Sequence, residues 1–287
     1  MKTLIPALRT MLSRCFDTDE LPVVIKALCC ELLGVDEYTY YLKEEVALTA
    51  AQHEQLAQAV QRLQRGEPLQ YVLGSAPFAG LTMHVDSSVL IPRPETAQLV
   101  HLACQRAPEG AFLDVGTGSG CIAIALAKEA AGRMVVACDV SDNALATARA
   151  NAHASEAAVH FIHADVLSIL NDGQLPDELQ GIEVGCIVSN PPYIRQCERC
   201  LMEGRVLDWE PALALFVPDD DPMLFYRALA RLGQTPLLRA GGQLCVEVNR
   251  VFGFETAVLF ELYGYEDVRV YPDLYDHERF VVCHKKQ

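Results

Sequence analysis

The feature that most constrains the fold is an alternation of short apolar runs with helical stretches, which begins at residue 111. Seven runs are predicted as strands: Ala111–Val115, Met134–Asp139, Val159–Ile162, Val184–Ser189, Gly242–Val248, Asp267–Tyr271 and Arg279–His284. Helices are predicted between most of them, at Cys121–Ala130, Asn143–His153 and Asp221–Leu232. This pattern is typical of an α/β fold with a doubly wound, mainly parallel seven-stranded sheet. Because only a short turn precedes the last strand, that strand is expected to be antiparallel.

The first 73 residues lack this alternation and predict a small helical domain that recognises a substrate. Two apolar faces are Leu4, Leu8, Met11 and Leu12, and then Val23, Val24, Leu28, Leu32 and Leu33. A third helix is predicted from about Thr49 to Arg65, ended by Gly66, and Pro68 is expected to prevent it from resuming. Residues 74–93 predict a hairpin linker with its turn at residues 86–88, and residues 94–287 the main domain.

Composition excludes several classes of protein. A formal charge of −15 disfavours stable nucleic acid binding, which usually needs a basic surface. The 11 cysteines are interpreted as reduced, because the chain begins without a signal-peptide pattern. Cys197 and Cys200 form a C-x-x-C pair without a second pair for zinc, so no metal site is expected. No apolar run is long enough to span a membrane, which favours a cytoplasmic protein. We also expect the protein to be a monomer.

A glycine-rich loop follows the first predicted strand. The segment Asp114–Gly120 reads DVGTGSG and leads directly into a helix, whose free N–H groups favour a ligand. The loop alone is weak evidence, because nicotinamide and flavin enzymes share it. The G-x-G-x-G spacing and three acids at successive strand ends favour S-adenosylmethionine instead. The candidate cofactor residues are Asp114, Gly116, Thr117, Gly118, Ser119, Gly120, Asp139, Asp165, Val166 and Asn190.

In this interpretation each acid has its own role. Asp114 is expected to meet the charged methionine end of the cofactor, and Asp139 to accept from the ribose hydroxyls. Asp165 is expected to accept from the adenine amino group, with Val166 packing on the ring. A helix cap remains the alternative for any single one of these acids.

The most specific motif is Asn190-Pro191-Pro192-Tyr193, at the end of the fourth strand. Two prolines fix the backbone, so the Asn190 side chain and the Pro191 carbonyl can act as two fixed acceptors for one planar NH₂ group. Tyr193 is expected to stack on that group. These residues are the candidate catalytic and substrate-binding residues, and they predict methyl transfer to a conjugated nitrogen without a strong base.

The motif, together with the glycine-rich loop, resembles two groups of enzymes: amino methyltransferases of DNA adenine and protein-glutamine N5-methyltransferases. Three further stretches favour the second group: Gly66–Gly74, Leu90–Thr96 and Glu210–Leu215. The resemblance covers nearly the whole chain, and within the family it is strongest to the enzymes that methylate the glutamine of a Gly-Gly-Gln loop in class I peptide chain release factors. It implies that Asn190 to Tyr193 hold the glutamine amide, and that the release factor is the partner.

Some points depart from the family pattern or stay open. Val166 stands where relatives often have an aromatic residue, and the stretch after Glu247 lacks a glutamine that relatives often carry. Arg93 either anchors the substrate loop or pairs with an acid. A ribosomal protein or DNA adenine remains an alternative substrate, and a cofactor-binding module without turnover is the alternative to an enzyme.

Overall fold

The structure is a computed structural model, and it describes residues 1–171 and 173–287. The helices are α1 (Leu4–Leu12), α2 (Glu20–Ala27), α3 (Glu37–Leu42), α4 (Ala50–Gln64), α5 (Leu69–Leu73), α6 (Thr96–Arg106), α7 (Cys121–Glu129), α8 (Asp142–Ala154), α9 (Ile169–Asp172), α10 (Gly204–Trp209), α11 (Ala212–Leu215), α12 (Leu224–Gln234) and α13 (Gly253–Leu262). The strands are β1 (Ser75–Phe78), β2 (Leu81–His84), β3 (Ala111–Val115), β4 (Val135–Asp139), β5 (His160–His163), β6 (Val184–Ser189), β7 (Ile194–Arg195), β8 (Phe216–Val217), β9 (Leu238–Glu247), β10 (Tyr265–Pro272) and β11 (Glu278–Lys285). None of the helices formed by the described residues has both the length and the apolarity needed to cross a membrane.

The chain divides into two compact units. The first comprises residues 1–75 and 203–209, and the second comprises residues 76–202 and 210–287. In the first unit, the apolar faces of α1, α2 and α4 form one core, in which Leu12, Ile25 and Leu63 are buried. Thr49 starts α4 with a capping box that includes Gln52, which confirms the predicted start of that helix.

The sequence pattern did not predict α3 or α5, although α4 ends before Pro68 and does not resume, as expected. The helix α5 begins directly after this proline, at Leu69. Proline is well tolerated at the start of a helix, because its fixed φ suits the first turn and the missing N–H has no partner there. Pro68 therefore ends the preceding loop and precedes a new helix.

The predicted hairpin is present, but its turn is not where the prediction put it. The strands β1 and β2 pair with each other, and the turn between them is formed by Ala79 and Gly80, which both have positive φ (48° and 77°). Two positive φ angles in a two-residue turn suit the right-handed twist of a hairpin. The stretch at residues 86–88, where the turn was expected, follows the second strand instead.

The second unit is built around one seven-stranded sheet with the strand order β10-β11-β9-β6-β3-β4-β5. The strand β11 is antiparallel to both of its neighbours, and the other pairs are parallel. This topology confirms the prediction of a doubly wound, mainly parallel sheet with an antiparallel last strand. The central strands β3 and β6 are buried along their whole length, which explains their uninterrupted apolar sequence.

Gly185 forms an irregularity in β6 that only a residue without a side chain can occupy. The register of β6 against β3 shifts there, since Val184 pairs with Ala111 but Cys186 pairs with Phe112. A Cβ atom on Gly185 would lie 2.6 Å from the carbonyl oxygen of Glu109. The backbone before β3 therefore packs directly on the backbone of β6.

We expect Gly185→Ala to lower the free energy of unfolding by about 1–3 kcal/mol, because the added methyl group must displace backbone atoms. Urea denaturation followed by far-UV circular dichroism measures this change. Gly204→Ala is the matched control, because a Cβ there meets its nearest atom at 3.9 Å, and we expect it to change stability by no more than about 0.5 kcal/mol. Equal stability of the two variants would contradict the close approach at Gly185.

Candidate active site

A cavity of about 250 Å³ opens at the carboxyl ends of β3, β4 and β6. Nine of the predicted site residues line it: Gly116, Thr117, Gly118, Ser119, Asp139, Asp165, Val166, Asn190 and Pro192. Four do not: Asp114, Gly120, Pro191 and Tyr193. The rest of the wall includes residues to which the sequence assigned no role, among them Leu90, Thr96, Val140, Leu213 and Phe225.

The glycine-rich loop of residues 116–120 joins β3 to α7 and forms one side of the cavity. Gly116, Gly118 and Gly120 all have positive φ (74°, 54° and 81°), a backbone region that favours glycine. A Cβ on Gly120 would lie only 3.0 Å from the Cβ of Ala148 on α8. Gly120 therefore allows the close packing of α8 against the loop, and its contact with a cofactor stays a prediction.

Asp114 supports this loop from behind. Its side chain is fully buried, and one carboxylate oxygen accepts hydrogen bonds from the hydroxyl of Thr117 at 2.6 Å and the backbone N–H of Ala123 at 3.2 Å. Burial raises the pKa of Asp114 to about 7. This carboxyl group contacts the loop and does not line the cavity, and its contact with the charged end of a ligand stays a prediction.

Two carboxylates do line the cavity. The oxygens of Asp139 accept from the backbone N–H groups of Gly118 at 2.8 Å and Ser141 at 2.9 Å. Asp165 accepts from the N–H of Leu167 at 2.9 Å, so it caps a short helical turn and lines the cavity at the same time. Each carboxylate oxygen has more than one lone pair, so both side chains keep capacity to accept from a ligand.

The wall therefore has the chemistry that an adenosine-like ligand needs. Asp139 and Asp165 supply acceptors for hydroxyl and amino hydrogens, and Val140 and Val166 supply apolar surface beside them. The start of α7 and the open glycine-rich loop allow a ligand to approach the backbone closely. Among the described residues, no group of three or more His, Cys, Asp or Glu side chains is placed to hold a metal ion.

Asn190 lies at the cavity wall directly after β6 and is held by a chain of hydrogen bonds. Its side-chain Nδ2 donates to Oγ1 of Thr96 at 3.2 Å, and the Thr96 hydroxyl donates to Oε2 of Glu247 at 2.7 Å. Thr96 and Glu247 are each 2% exposed. Burial raises the pKa of Glu247 above its ordinary value, while the hydroxyl groups of Thr96 and Tyr193 act in the opposite direction.

Tyr193 belongs to the same network. Its hydroxyl donates to Oε1 of Glu247 at 3.2 Å, and its backbone carbonyl accepts from Nδ2 of Asn249 at 3.4 Å. Burial and the neighbouring Glu247 raise the pKa of the Tyr193 hydroxyl, which therefore stays protonated as a donor. Tyr193 does not line the cavity, and its stacking on a substrate amide stays a prediction.

An ion pair between a half-buried arginine and a buried glutamate fixes another part of the wall. The carboxylate of Glu210, with a side chain 1% exposed, accepts from the guanidinium of Arg93 at 2.6 Å and from the backbone N–H of Ile91 at 3.2 Å. Arg93 therefore pairs with an acid and also lines the cavity, and its role as an anchor for the substrate loop stays a prediction. The pair connects the segment before α6 to the segment that leads to Leu213, and both segments line the cavity.

No role was predicted for Thr96 or Glu247, although Thr96 ends one of the stretches that resemble the family and Glu247 precedes a stretch that departs from it. Their side chains meet across 151 positions of sequence. No local spacing rule connects residues so far apart, and only the pairing of β9 with β6 and the packing of α6 on β9 bring them together. The signal that could have found them is that a polar residue beside an apolar run needs a buried partner.

The raised pKa of Asp114 predicts a pH-dependent stability. Its pKa rises from the ordinary 3.8 to about 7, so the folded protein binds the proton more tightly than the unfolded chain. The resulting contribution is fully present below about pH 4 and is lost as the pH rises through about 7, at up to about 1.4 kcal/mol per pH unit. Asp114→Asn stays neutral, so its stability relative to the wild type should increase over this range.

Urea denaturation of both proteins at several pH values between about 5 and 8 measures the difference. Asp220→Asn is the control for the removal of one acidic side chain, because Asp220 is exposed. A pH-independent difference for Asp114→Asn would contradict the raised pKa.

Comparison with known proteins shows the family to which the chain is similar. Two family models match, the PrmC N-terminal domain at residues 8–74 and the Methyltransferase small domain at residues 95–203. The release factor glutamine methyltransferase of Bacteroides thetaiotaomicron is 42% identical over 97% of this chain and 98% of its own length. The protein of the same name from Flavobacterium psychrophilum is 42% identical over 77% of this chain and 76% of its own length. A methyltransferase from Pyrococcus furiosus has the same fold, with a TM-score of 0.52 at 15% identity over 80% of this chain and 100% of that one. The chain therefore belongs to the family of release factor glutamine methyltransferases.

Proposed function

We propose that this enzyme transfers the methyl group of S-adenosylmethionine to the side-chain amide nitrogen of the glutamine in the Gly-Gly-Gln loop of a class I peptide chain release factor. The observation that carries the proposal is a pair of free acceptors after β6. Among the hydrogen bonds of the described residues, none ends on Oδ1 of Asn190 or on the carbonyl oxygen of Pro191. A primary amide has two N–H groups on one nitrogen, so two fixed acceptors suit it.

The cofactor assignment follows from the donors and acceptors of the cavity. Asp139 is proposed to accept from the ribose hydroxyls and Asp165 from the adenine amino group, with Val166 against the ring. When bound, S-adenosylmethionine supplies a methyl group on a sulfonium, which leaves as a neutral sulfide. The family to which the chain belongs supports the same cofactor, since its catalytic region matches a methyltransferase domain.

The protein's own residues orient the nucleophile. Asn190 and Pro191 are proposed to accept the two amide hydrogens, which fixes the nitrogen and raises its electron density as positive charge develops on it. These two acceptors would hold the nitrogen in line with the methyl carbon that the bound cofactor would supply, and the surplus proton of the methylated nitrogen would pass to water. Positioning therefore contributes much of the rate increase, and no strong base is required in the wall.

Charge and domain organisation support a protein substrate. The formal charge of −15 disfavours a DNA substrate, whose binding would require many phosphate contacts. Curated relatives named release factor glutamine methyltransferase match over nearly the whole chain. We assign the helical residues 1–73 to recognition of the release factor, in line with the family model that matches residues 8–74.

The proposal is tested with labelled S-adenosylmethionine and four acceptors: release factor, its Gln→Ala variant in the Gly-Gly-Gln loop, ribosomal proteins and DNA. We expect label on the release factor and none on the Gln→Ala variant, because the amide nitrogen is then absent. Label on a ribosomal protein or on DNA instead would contradict the proposed substrate, while the cofactor assignment would stand.

Asn190→Ala tests the role of the turn. We expect kcat to fall by about two to four orders of magnitude, the scale for the loss of a transition-state hydrogen-bonding partner and of positioning. Cofactor binding, measured by calorimetry, should weaken only modestly. Asn143→Ala is the control, because Asn143 is exposed on α8 and does not line the cavity, and it should keep wild-type turnover. Unchanged turnover in Asn190→Ala would contradict the mechanism.

A further inference from the structure

We propose that Thr96 is a positioning residue, which fixes the Asn190 carboxamide with its oxygen toward the substrate, and that the carboxylate of Glu247 sets this orientation through Thr96. The inference rests on the proposed function, in which Oδ1 of Asn190 accepts a hydrogen bond from the substrate amide. It adds the requirement that the Asn190 carboxamide has a fixed orientation, which residues 190–193 alone do not provide. The carboxamide of asparagine has a donor end and an acceptor end of nearly the same shape, and only one of them can serve the reaction.

The direction of the hydrogen bonds that connect Asn190, Thr96 and Glu247 follows from the number of hydrogens on each group. An ionised carboxylate only accepts, and Thr96 has a single hydroxyl hydrogen, which it donates to Oε2 of Glu247 at 2.7 Å. Toward Asn190, at 3.2 Å, Thr96 can therefore only accept. The group of Asn190 that faces Thr96 must then be the NH₂ group. Oδ1 is left at the cavity wall, where no described residue donates to it.

The position of Glu247 is itself fixed from several sides. Its second oxygen, Oε1, accepts from the hydroxyl of Tyr193 at 3.2 Å. Its backbone carbonyl accepts from the hydroxyl of Tyr226 at 3.3 Å, and Tyr226 is fully buried. Burial raises the pKa of Glu247, whereas the hydrogen bond from Thr96 and the charge of Arg279 act in the opposite direction and stabilise the ionised form. Both carboxylate oxygens are thus occupied by hydroxyl donors from different elements, α6 and the turn after β6.

The same count of hydrogens explains why a threonine at position 96 suits the task. Its hydroxyl is held at the first position of α6 and reaches both Glu247 and Asn190. Valine has nearly the same shape but no hydroxyl, so Nδ2 of Asn190 would lose its partner. The hydrogen bond that keeps the donor end of the carboxamide away from the substrate would then be absent. Serine keeps the hydroxyl and loses only a methyl group.

The first experiment compares Thr96→Val with Thr96→Ser in methyl transfer to release factor. We expect Thr96→Val to lower kcat about 10- to 100-fold, the scale on which misplacement of a positioned group acts. The KM for release factor and the dissociation constant of the cofactor should stay within about threefold, because the interaction matters mainly in the transition state. Thr96→Ser should restore kcat to within about threefold of the wild type.

Glu247→Gln separately tests the direction of the hydrogen bonds that connect Asn190, Thr96 and Glu247. The new amide has one oxygen and one NH₂ group, and when its oxygen keeps the hydrogen bond from the hydroxyl of Tyr193, its NH₂ group faces Thr96. Thr96 then donates to Asn190 and turns the carboxamide round. We expect a loss of kcat comparable to that of Thr96→Val, with cofactor binding retained. Wild-type kcat in Glu247→Gln would overturn the role of the carboxylate.

A spectroscopic readout keeps the test independent of turnover. The chain has five asparagines, so selective ¹⁵N labelling of asparagine gives a small set of side-chain NH₂ signals, and Asn190→Asp identifies the one from Asn190. We expect this signal to shift, and its hydrogens to exchange faster with solvent, in Thr96→Val but not in Thr96→Ser. Far-UV circular dichroism confirms that each variant is folded.

The outcomes separate this inference from the proposed function. If the wild type does not methylate release factor, the proposed function fails, while the NH₂ signal still tests the orientation. If the wild type is active and Thr96→Val keeps its kcat, the inference is overturned. Equal losses in Thr96→Val and Thr96→Ser would also overturn it, because packing and not the hydroxyl would then be responsible.

Discussion

The site depends on the parallel pairing of β3 with β4 on one side and with β6 on the other. In register, Val115 pairs with Cys138 and with Ser189, so the three strands reach the same edge of the sheet together. The residues that follow each strand at this edge are the glycine-rich loop, the segment at Asp139 and the turn at Asn190. Parallel strands with helical crossovers always bring such segments together, which is why ligands in these sheets bind at the carboxyl ends of the strands. The bulge at Gly185 lets the backbone before β3 approach β6 closely.

Behind the cavity, three buried acids each hold one segment of its wall. Asp114 holds the glycine-rich loop, Glu210 holds the segment with Arg93, and Glu247 holds Thr96 and Tyr193. Burying a carboxylate costs several kcal/mol unless it is paired and hydrogen-bonded. All three accept at least two hydrogen bonds, which offsets much of that cost. The acids that line the cavity, by contrast, are more exposed and keep lone pairs for a ligand.

The strands could be predicted from the sequence where turn residues bound an apolar run. For β3 and β6, the predicted first and last residues are the observed ones. The helix α13 was missed because its apolar residues lie all round it, with Phe254 and Leu262 exposed, so it shows no amphipathic stripe.

The residues of the site could be predicted only where they directly follow the end of a strand. Asp114 was grouped with Asp139 because both are acids near a strand end, yet Asp114 lies inside β3 and is buried between the layers of the fold. The contact of Thr96 with Glu247 depends on tertiary packing, which no local pattern contains.

The buried acids behind the cavity wall also determine the direction in which neighbouring hydroxyl groups donate, which neutral residues in their place would not do. A carboxylate only accepts, so a hydroxyl beside it must point its hydrogen inward and present its lone pairs outward. Thr96 does this toward Asn190, and Thr117 does the same at the cavity wall when Asp114, whose pKa is raised to about 7, is ionised. An amide in place of either acid would have a donor end and an acceptor end, and the direction of the neighbouring hydroxyl would depend on which end faced it. The buried carboxylates therefore determine the polarity of the wall as well as its shape, which is a physical reason for placing charges where burial alone disfavours them.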